Sequence, residues 1–236
     1  MTLFLASVRN PDEAETALGA GADIIDLKEP GNGALGALDP DMIGGCVARV
    51  AGRAPVSATI GDLPMQAEII RDAVRATASL GVDYVKLGLF PEGDAGRCLD
   101  LLEMEARTTR LILIVFADAW PGFDAVSEAA RIGASGVMLD TRRKDAGALL
   151  DHLTIDVLAG FVATAKARGL HVGLAGSLRA THVPSLLPLQ PDIIGFRGAL
   201  CRDGARDAAL DTDACQAIRL LMPRCTQSFI KPGLAA

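Results

Sequence analysis

Aromatic residues are scarce in this chain: one tryptophan, one tyrosine and seven phenylalanines among 236 residues. A core that cannot rely on rings must be built from Ala, Val, Leu and Ile, the composition of a parallel sheet wrapped in helices. An excess of positive charge is missing too. Twenty-three Lys and Arg against twenty-nine Asp and Glu leave a net charge of −6. That excludes a broad basic surface for nucleic acid or anionic membrane and leaves a small molecule as the expected partner. The five cysteines (Cys46, Cys98, Cys201, Cys215, Cys225) contain no CxxC pair, so they read as reduced core residues. No apolar run approaches the length of a membrane span. His152, His171 and His182 show no HxH or HExxH spacing. Asp118, near a strand end, could hold a hard cation, but nothing marks a cage, and neither metal nor cofactor is expected. Met1 to Arg9 reads as a first strand rather than a leader, so a cytoplasmic location is expected.

What is present is a regular alternation. Short β-branched runs fall at Leu3 to Val8, Asp23 to Lys28, Val56 to Ile60, Tyr84 to Leu89, Leu111 to Ala117, Gly136 to Thr141, His171 to Ala175 and Ile193 to Arg197. Between them lie stretches with helical spacing, such as Ile69 to Leu80 and Val157 to Arg168. Eight such alternations predict an α/β fold, a single (β/α)8 TIM barrel, over an open doubly wound sheet. A weak repeat sets the register: Gly21-Ala22-Asp23, Gly81-Val82-Asp83, Gly133-Ala134-Ser135 and Gly169-Leu170 each precede a strand. Those glycines predict left-handed helix ends at the bottom of the barrel. Residues 1–225 are expected to form one catalytic domain. Residues 226–236, containing Pro232 and Gly233, are expected to be a disordered tail, with a strap over a neighbouring subunit as the alternative. A homo-oligomer is therefore allowed but not announced by any heptad run.

Strand parity locates the chemistry. In Asp23-Ile24-Ile25-Asp26-Leu27-Lys28, Ile25 and Leu27 suit the helix layer, which turns Asp26 and Lys28 inward. In Tyr84-Val85-Lys86-Leu87-Gly88-Leu89, the same alternation turns Lys86 inward. Met138 and Asp140 face inward from the sixth run, and Lys144 follows in its loop. Three even-numbered strands thus send lysines and aspartates toward one mouth, where alternate strands share a layer. A structural ion-pair network is the competing reading, but apolar side chains fill a barrel at lower desolvation cost. Crowded, buried lysines lower one another's pKa, which produces a neutral amine able to attack a carbonyl.

Phosphate binding is the remaining ingredient. Ala175-Gly176-Ser177 and Gly195-Phe196-Arg197-Gly198-Ala199 end the seventh and eighth runs, where barrels commonly hold phosphate on backbone amides. Gly176, Ser177, Gly198 and Arg197 are the expected contacts, although strand alternation can aim Arg197 elsewhere. A second glycine-rich loop, Pro30 to Gly36, follows Lys28 and would suit a second phosphate or a lid.

These blocks together resemble one family. Asp26-Leu27-Lys28-Glu29-Pro30, Val56-Ser57-Ala58-Thr59-Ile60-Gly61-Asp62 and Tyr84-Val85-Lys86-Leu87-Gly88-Leu89 carry the resemblance. Met138-Leu139-Asp140-Thr141 with Lys144-Asp145, Leu150-Asp151-His152-Leu153, Leu174-Ala175-Gly176-Ser177-Leu178 and Gly195-Phe196-Arg197-Gly198-Ala199 extend it, from about Ala6 to Asp203. The chain is similar to the (5-formylfuran-3-yl)methyl phosphate synthases of methanofuran biosynthesis. The resemblance implies a class I aldolase-like barrel that condenses two molecules of glyceraldehyde 3-phosphate with loss of phosphate and water. It implies Lys28 as the Schiff-base lysine, Lys86 in acid–base work, and Asp26, Asp140 and Lys144 as polar residues around them. Arg142-Arg143 before Lys144 departs from the family pattern. Other Schiff-base aldolases or isomerases of triose and sugar phosphates, and a barrel that only senses a metabolite, are the alternatives.

Overall fold

The computed structural model describes residues 1–223. Eight parallel strands close into a barrel in sequence order: β1 (Leu3–Val8), β2 (Ile24–Leu27), β3 (Val56–Thr59), β4 (Tyr84–Gly88), β5 (Leu111–Phe116), β6 (Gly136–Asp140), β7 (His171–Leu174) and β8 (Ile193–Phe196). β1 pairs with β8 through Leu3 with Ile193 and Ala6 with Phe196, which closes the ring. The expected doubly wound alternative is excluded by that closure.

Seven of the expected strands end one residue sooner than the apolar pattern suggests. Pairing in fact runs on by one bond: Lys28 N donates to Val8 O (3.0 Å), Ile60 N to Lys86 O (3.1 Å) and Ala175 N to Leu139 O (2.8 Å). The ladder is then abandoned as each chain turns into a loop. Helices begin about two residues before the expected periodicity. The helix Ala67–Ala78 buries Ala67, Ile70, Val74 and Thr77 along one stripe, and Ile155–Ala167 is started by Thr154, whose side chain accepts from Val157 N. β5 reads Leu-Ile-Leu-Ile-Val-Phe and is buried throughout, as a strand must be with an interior on one side and helices on the other.

The bottom turns behave as the repeat predicts. Gly21, Gly81, Gly133 and Gly169 have φ of 87, 83, 73 and 75°, in the left-handed region that a side chain would disfavour. The acidic residue that opens a strand caps the strand before it. Asp23 accepts from Phe4 N (2.8 Å), Asp83 from Val56 N (2.9 Å) and Asp192 from Val172 N (2.9 Å). Each carboxylate thereby satisfies an amide at the start of a neighbouring strand.

Cys46, Cys98, Cys201 and Cys215 are free and buried, and burial pushes their thiols up to about 11 or 12. Cys225 and the tail 226–236 lie outside the described residues. Among the described residues, no helix is long and apolar enough to cross a membrane.

Candidate active site

The strand pleat delivers the inward residues to one mouth. A cleft of about 160 Å3 at the C-terminal end of the barrel is lined by Asp26, Lys28, Lys86, Asp140 and Lys144. Within it the five groups form two clusters. Around Asp26, Oδ2 accepts from Ser7 Oγ (2.8 Å), while Oδ1 accepts from Ser57 Oγ (2.6 Å) and Lys86 Nζ (2.9 Å). Around Asp140, Oδ1 accepts from Lys144 Nζ (2.5 Å) and Thr141 N (2.7 Å), and Oδ2 faces Lys28 Nζ at 3.4 Å. Lys144 also donates to the Thr141 carbonyl. Asp26 is 1% exposed and Lys86 4%.

Three ammonium groups face two carboxylates here. Lys86 and Lys144 each hold a short contact, and Lys28 is left with the long one. Burial pushes the Lys28 amine down from 10.5 to about 8; Asp140 and Asp26 oppose the shift, and Lys144 and Lys86 add to it. At pH 7 a group with that pKa is neutral in about one molecule in ten, against fewer than one in a thousand for a free lysine. Burial would raise Asp140, but the charges of Lys144 and Lys28 and the bonds from Lys144 and Thr141 N outweigh it and hold the carboxyl below its usual range. Asp140 therefore stays an anion beside a buried amine that is partly neutral. Such an arrangement can form an imine with a carbonyl and steady the iminium charge that follows.

The loops after β7 and β8 meet above this layer. Gly176 and Ser177 take φ of 105 and 47°, and both line the cleft. A Cβ on Gly176 would lie 2.9 Å from Thr141 N, so only glycine fits there. Ser177 is a non-glycine residue in the left-handed region, a local strain of the kind that collects at sites. Among the described residues, no acceptor faces the amides of Gly176, Ser177 or Gly198. Three unclaimed amides in one cleft can hold an anion.

Arg197 does not join them. Its five N–H groups are spent on Glu13, on the Ser7 carbonyl, and on the Arg206 and Ala208 carbonyls. The alternation of β8 turns this side chain to Glu13, a 5% exposed carboxylate in the first helix (Pro11–Gly19). The expectation of a second anion site in the loop Pro30 to Gly36 is corrected in the same way. The Asp62 carboxylate already accepts from Ala34 N and Leu35 N, both at 2.7 Å. The loop is clamped by the protein's own anion. Asp118 likewise accepts from Arg142 N (2.6 Å) and Arg143 N (2.8 Å), so it shapes the loop before Lys144. Among the described residues, no group of three or more His, Cys, Asp or Glu is placed to hold a metal ion.

Sequence reasoning missed Ser7 and Ser57, the two hydroxyls on Asp26. The parity that found Asp26 would have found them, since both face inward on β1 and β3. It also missed Glu13, which looks like an ordinary acidic residue in a helix's first turn, and Asp62, which looks like part of a turn.

Comparison with known proteins bears on the whole barrel. The family model described as 4-HFC-P synthase matches residues 4–219. A Methylorubrum extorquens protein, provisionally named (5-formylfuran-3-yl)methyl phosphate synthase, is 44% identical over 88% of this chain and 86% of its own. The (5-formylfuran-3-yl)methyl phosphate synthase of Methanopyrus kandleri is 37% identical over 86% of this chain and 91% of its own. Among solved structures, a monomeric form of the dimeric phosphoribosylanthranilate isomerase of Thermotoga maritima superposes with a TM-score of 0.63. That match has 13% identity and covers 94% of this chain and 98% of that one, so it speaks to the fold alone.

Proposed function

The chain belongs to the 4-HFC-P synthase family, and on that premise we propose that it condenses two molecules of glyceraldehyde 3-phosphate into (5-formylfuran-3-yl)methyl phosphate through an imine on Lys28. The reaction serves the synthesis of a methanofuran-type one-carbon carrier, in the cytoplasm. Atom balance between two triose phosphates and the furan phosphate requires loss of one phosphate and two waters. The observation that carries the reading is Lys28: a buried amine with its pKa lowered to about 8, held among the described residues only by a 3.4 Å contact to Asp140.

The neutral Lys28 amine attacks the carbonyl of the first triose, and loss of water gives an iminium beside the Asp140 carboxylate. That positive charge draws electrons from the adjacent carbon, whose proton is removed to leave an enamine. Lys86, bonded to Asp26 at 2.9 Å, carries protons between substrate and carboxylate. Phosphate leaves from the carbon next to the enamine, and the terminal carbon so exposed forms a bond to the central carbon of the second triose, taken as its ketose isomer, whose oxygen takes a proton. Ring closure, elimination of two waters, and release of Lys28 by hydrolysis complete the aromatic ring. Lys144 holds Asp140 ionised and orients it. The amides of Gly176, Ser177 and Gly198 receive the phosphate of the imine-forming triose.

Borohydride reduction during turnover, followed by peptide mass spectrometry, tests this. A triose phosphate adduct on Lys28 and a product absorbing strongly in the ultraviolet are expected. Full activity in Lys28→Ala with no adduct on any lysine would overturn the imine. An adduct without the ultraviolet-absorbing product would instead assign the site to another aldolase or isomerase reaction.

A further inference from the structure

Two arginines in the cleft remain without a role. Arg179, in the loop after β7, and Arg206, in the segment after β8, both line the cavity that contains Lys28. Most arginines of this protein sit within 4.0 Å of a carboxylate, whether exposed like Arg53 and Arg97 or buried like Arg219. Among the described residues, neither Arg179 nor Arg206 has such a partner; Arg107, Arg143 and Arg202 share that lack but lie outside the cleft. Acidic side chains outnumber basic ones by six, so partners are not in short supply. Both guanidinium groups are kept free of carboxylates at the one place where a carboxylate would compete with a substrate anion.

Local geometry keeps the pair together. A Cβ built on Gly204 would stand 3.2 Å from Arg179 Nη1, and one on Gly198 would stand 3.8 Å from Arg206 Cβ and 3.2 Å from the Gly204 carbonyl. Gly204 itself has φ of 70°. The two glycines let the segment after β8 pass closely beside Arg179. Arg206 Nη2 donates to the Gly33 carbonyl (3.1 Å), which carries its guanidinium across the mouth toward the loop that follows Lys28. Among the described residues, that single bond leaves its other N–H groups unused.

We infer that Arg179 and Arg206 form a second phosphate subsite, which holds the phosphate monoester of the acceptor triose while the amides of Gly176, Ser177 and Gly198 hold that of the imine-forming triose. The inference rests on the proposed two-triose condensation, in which both trioses enter the cleft as phosphate monoesters. Two phosphates in one cleft need two sets of donors. The amides supply one, close to the strand ends; the guanidinium groups supply the other at the rim. Among the described residues, the bond to the Gly33 carbonyl is the only hydrogen bond that binding would break on the Arg206 side chain.

Three measurements on the full chain test it: borohydride trapping of the first triose on Lys28, condensation rate against triose phosphate concentration, and the number of inorganic phosphate ions bound per chain. In Arg179→Gln/Arg206→Gln, trapping should stay within about twofold of wild type. Half-saturation for condensation should rise about ten- to a hundredfold, as expected for losing charge-assisted hydrogen bonds. Bound phosphate should fall from two per chain to one, and Arg206→Lys should recover part of the loss. Loss of trapping in the double variant would assign the arginines to the first triose and overturn the inference. So would unchanged condensation, or one phosphate per chain in the wild type. If the wild type gives no adduct at all, the imine reading fails, and phosphate stoichiometry alone decides the subsite. Thermal melting of the double variant at the wild-type temperature confirms that fold is not the variable.

Discussion

The same eight strands build both ends of this barrel, yet the ends have little in common. At the bottom, a second cavity of about 140 Å3 is lined mainly by Leu3, Ile24, Ile112, Ile193 and Tyr84, and the turns around it are fixed by glycines and strand-opening aspartates. At the top stand two aspartates and three lysines. Leu5, Lys86 and Met138 line both cavities and mark the boundary between them. Gly173 makes that boundary possible, because a Cβ there would fall 2.3 Å from Met138 Cε. Two residues further along a strand, the lining changes from apolar side chains to charged ones. Substitutions at the top should cost activity and spare stability, and substitutions at the bottom should do the reverse.

The largest effect expected is from Lys28→Met, which should lower turnover by on the order of a thousandfold or more. Its stability should be at or above that of the wild type, since a buried amine is replaced by an apolar chain of similar length. The sign with pH is definite. Lys28 titrates near 8 in the fold against 10.5 when unfolded. The unfolded chain therefore binds more protons between those values, and the wild type gains stability relative to Lys28→Met as pH rises through that window. Denaturant midpoints for both proteins at pH 7.5 and 10 measure this; a difference that widens would contradict the assignment. Lys86→Arg keeps the charge but moves the proton-carrying atom, and should lose about a hundredfold in turnover with little change in melting temperature. Unchanged turnover would remove Lys86 from proton transfer. Smaller again is the pH effect on imine formation, which should rise about tenfold per unit up to about pH 8 and then level off, followed by rapid-quench borohydride trapping. At the other end, Ile112→Ala should destabilise the fold by about 2–5 kcal/mol while changing turnover per folded molecule less than twofold. A large loss of turnover there would break the division between the two ends.

The legibility of the sequence follows the same division. Strands and bottom turns were readable because each rests on a local rule: alternation for Lys86 and Asp140, left-handed backbone for Gly21 and Gly81. The inward lysines were readable for the same reason. What was not readable depends on residues distant in the chain. Nothing in Gly195 to Ala199 says that Arg197 will be claimed by a carboxylate 184 residues earlier. Nothing in Pro30 to Gly36 says that Asp62 will occupy its amides. Both loops have the glycine content of anion sites, and composition cannot distinguish a vacant cradle from one the protein fills itself. Arg179 and Arg206 were hidden for a related reason. Their meaning lies in lining the cleft without a carboxylate partner, which only the folded arrangement discloses.

The Glu13–Arg197 pair also bears on how the chain reaches its native state. Glu13 emerges early in synthesis, whereas Arg197 follows almost the entire barrel, and Arg197 also donates to the Ser7 carbonyl 190 residues back. Until the eighth strand arrives, the first helix carries an acid that its own neighbourhood answers only with the Arg9 amide and a 3.9 Å contact to Arg9. The seam where β8 docks on β1 is thus locked by contacts of extreme sequence separation, the kind that forms slowly. A nascent chain cannot seal its barrel prematurely, because the bolt is carried by the last stave.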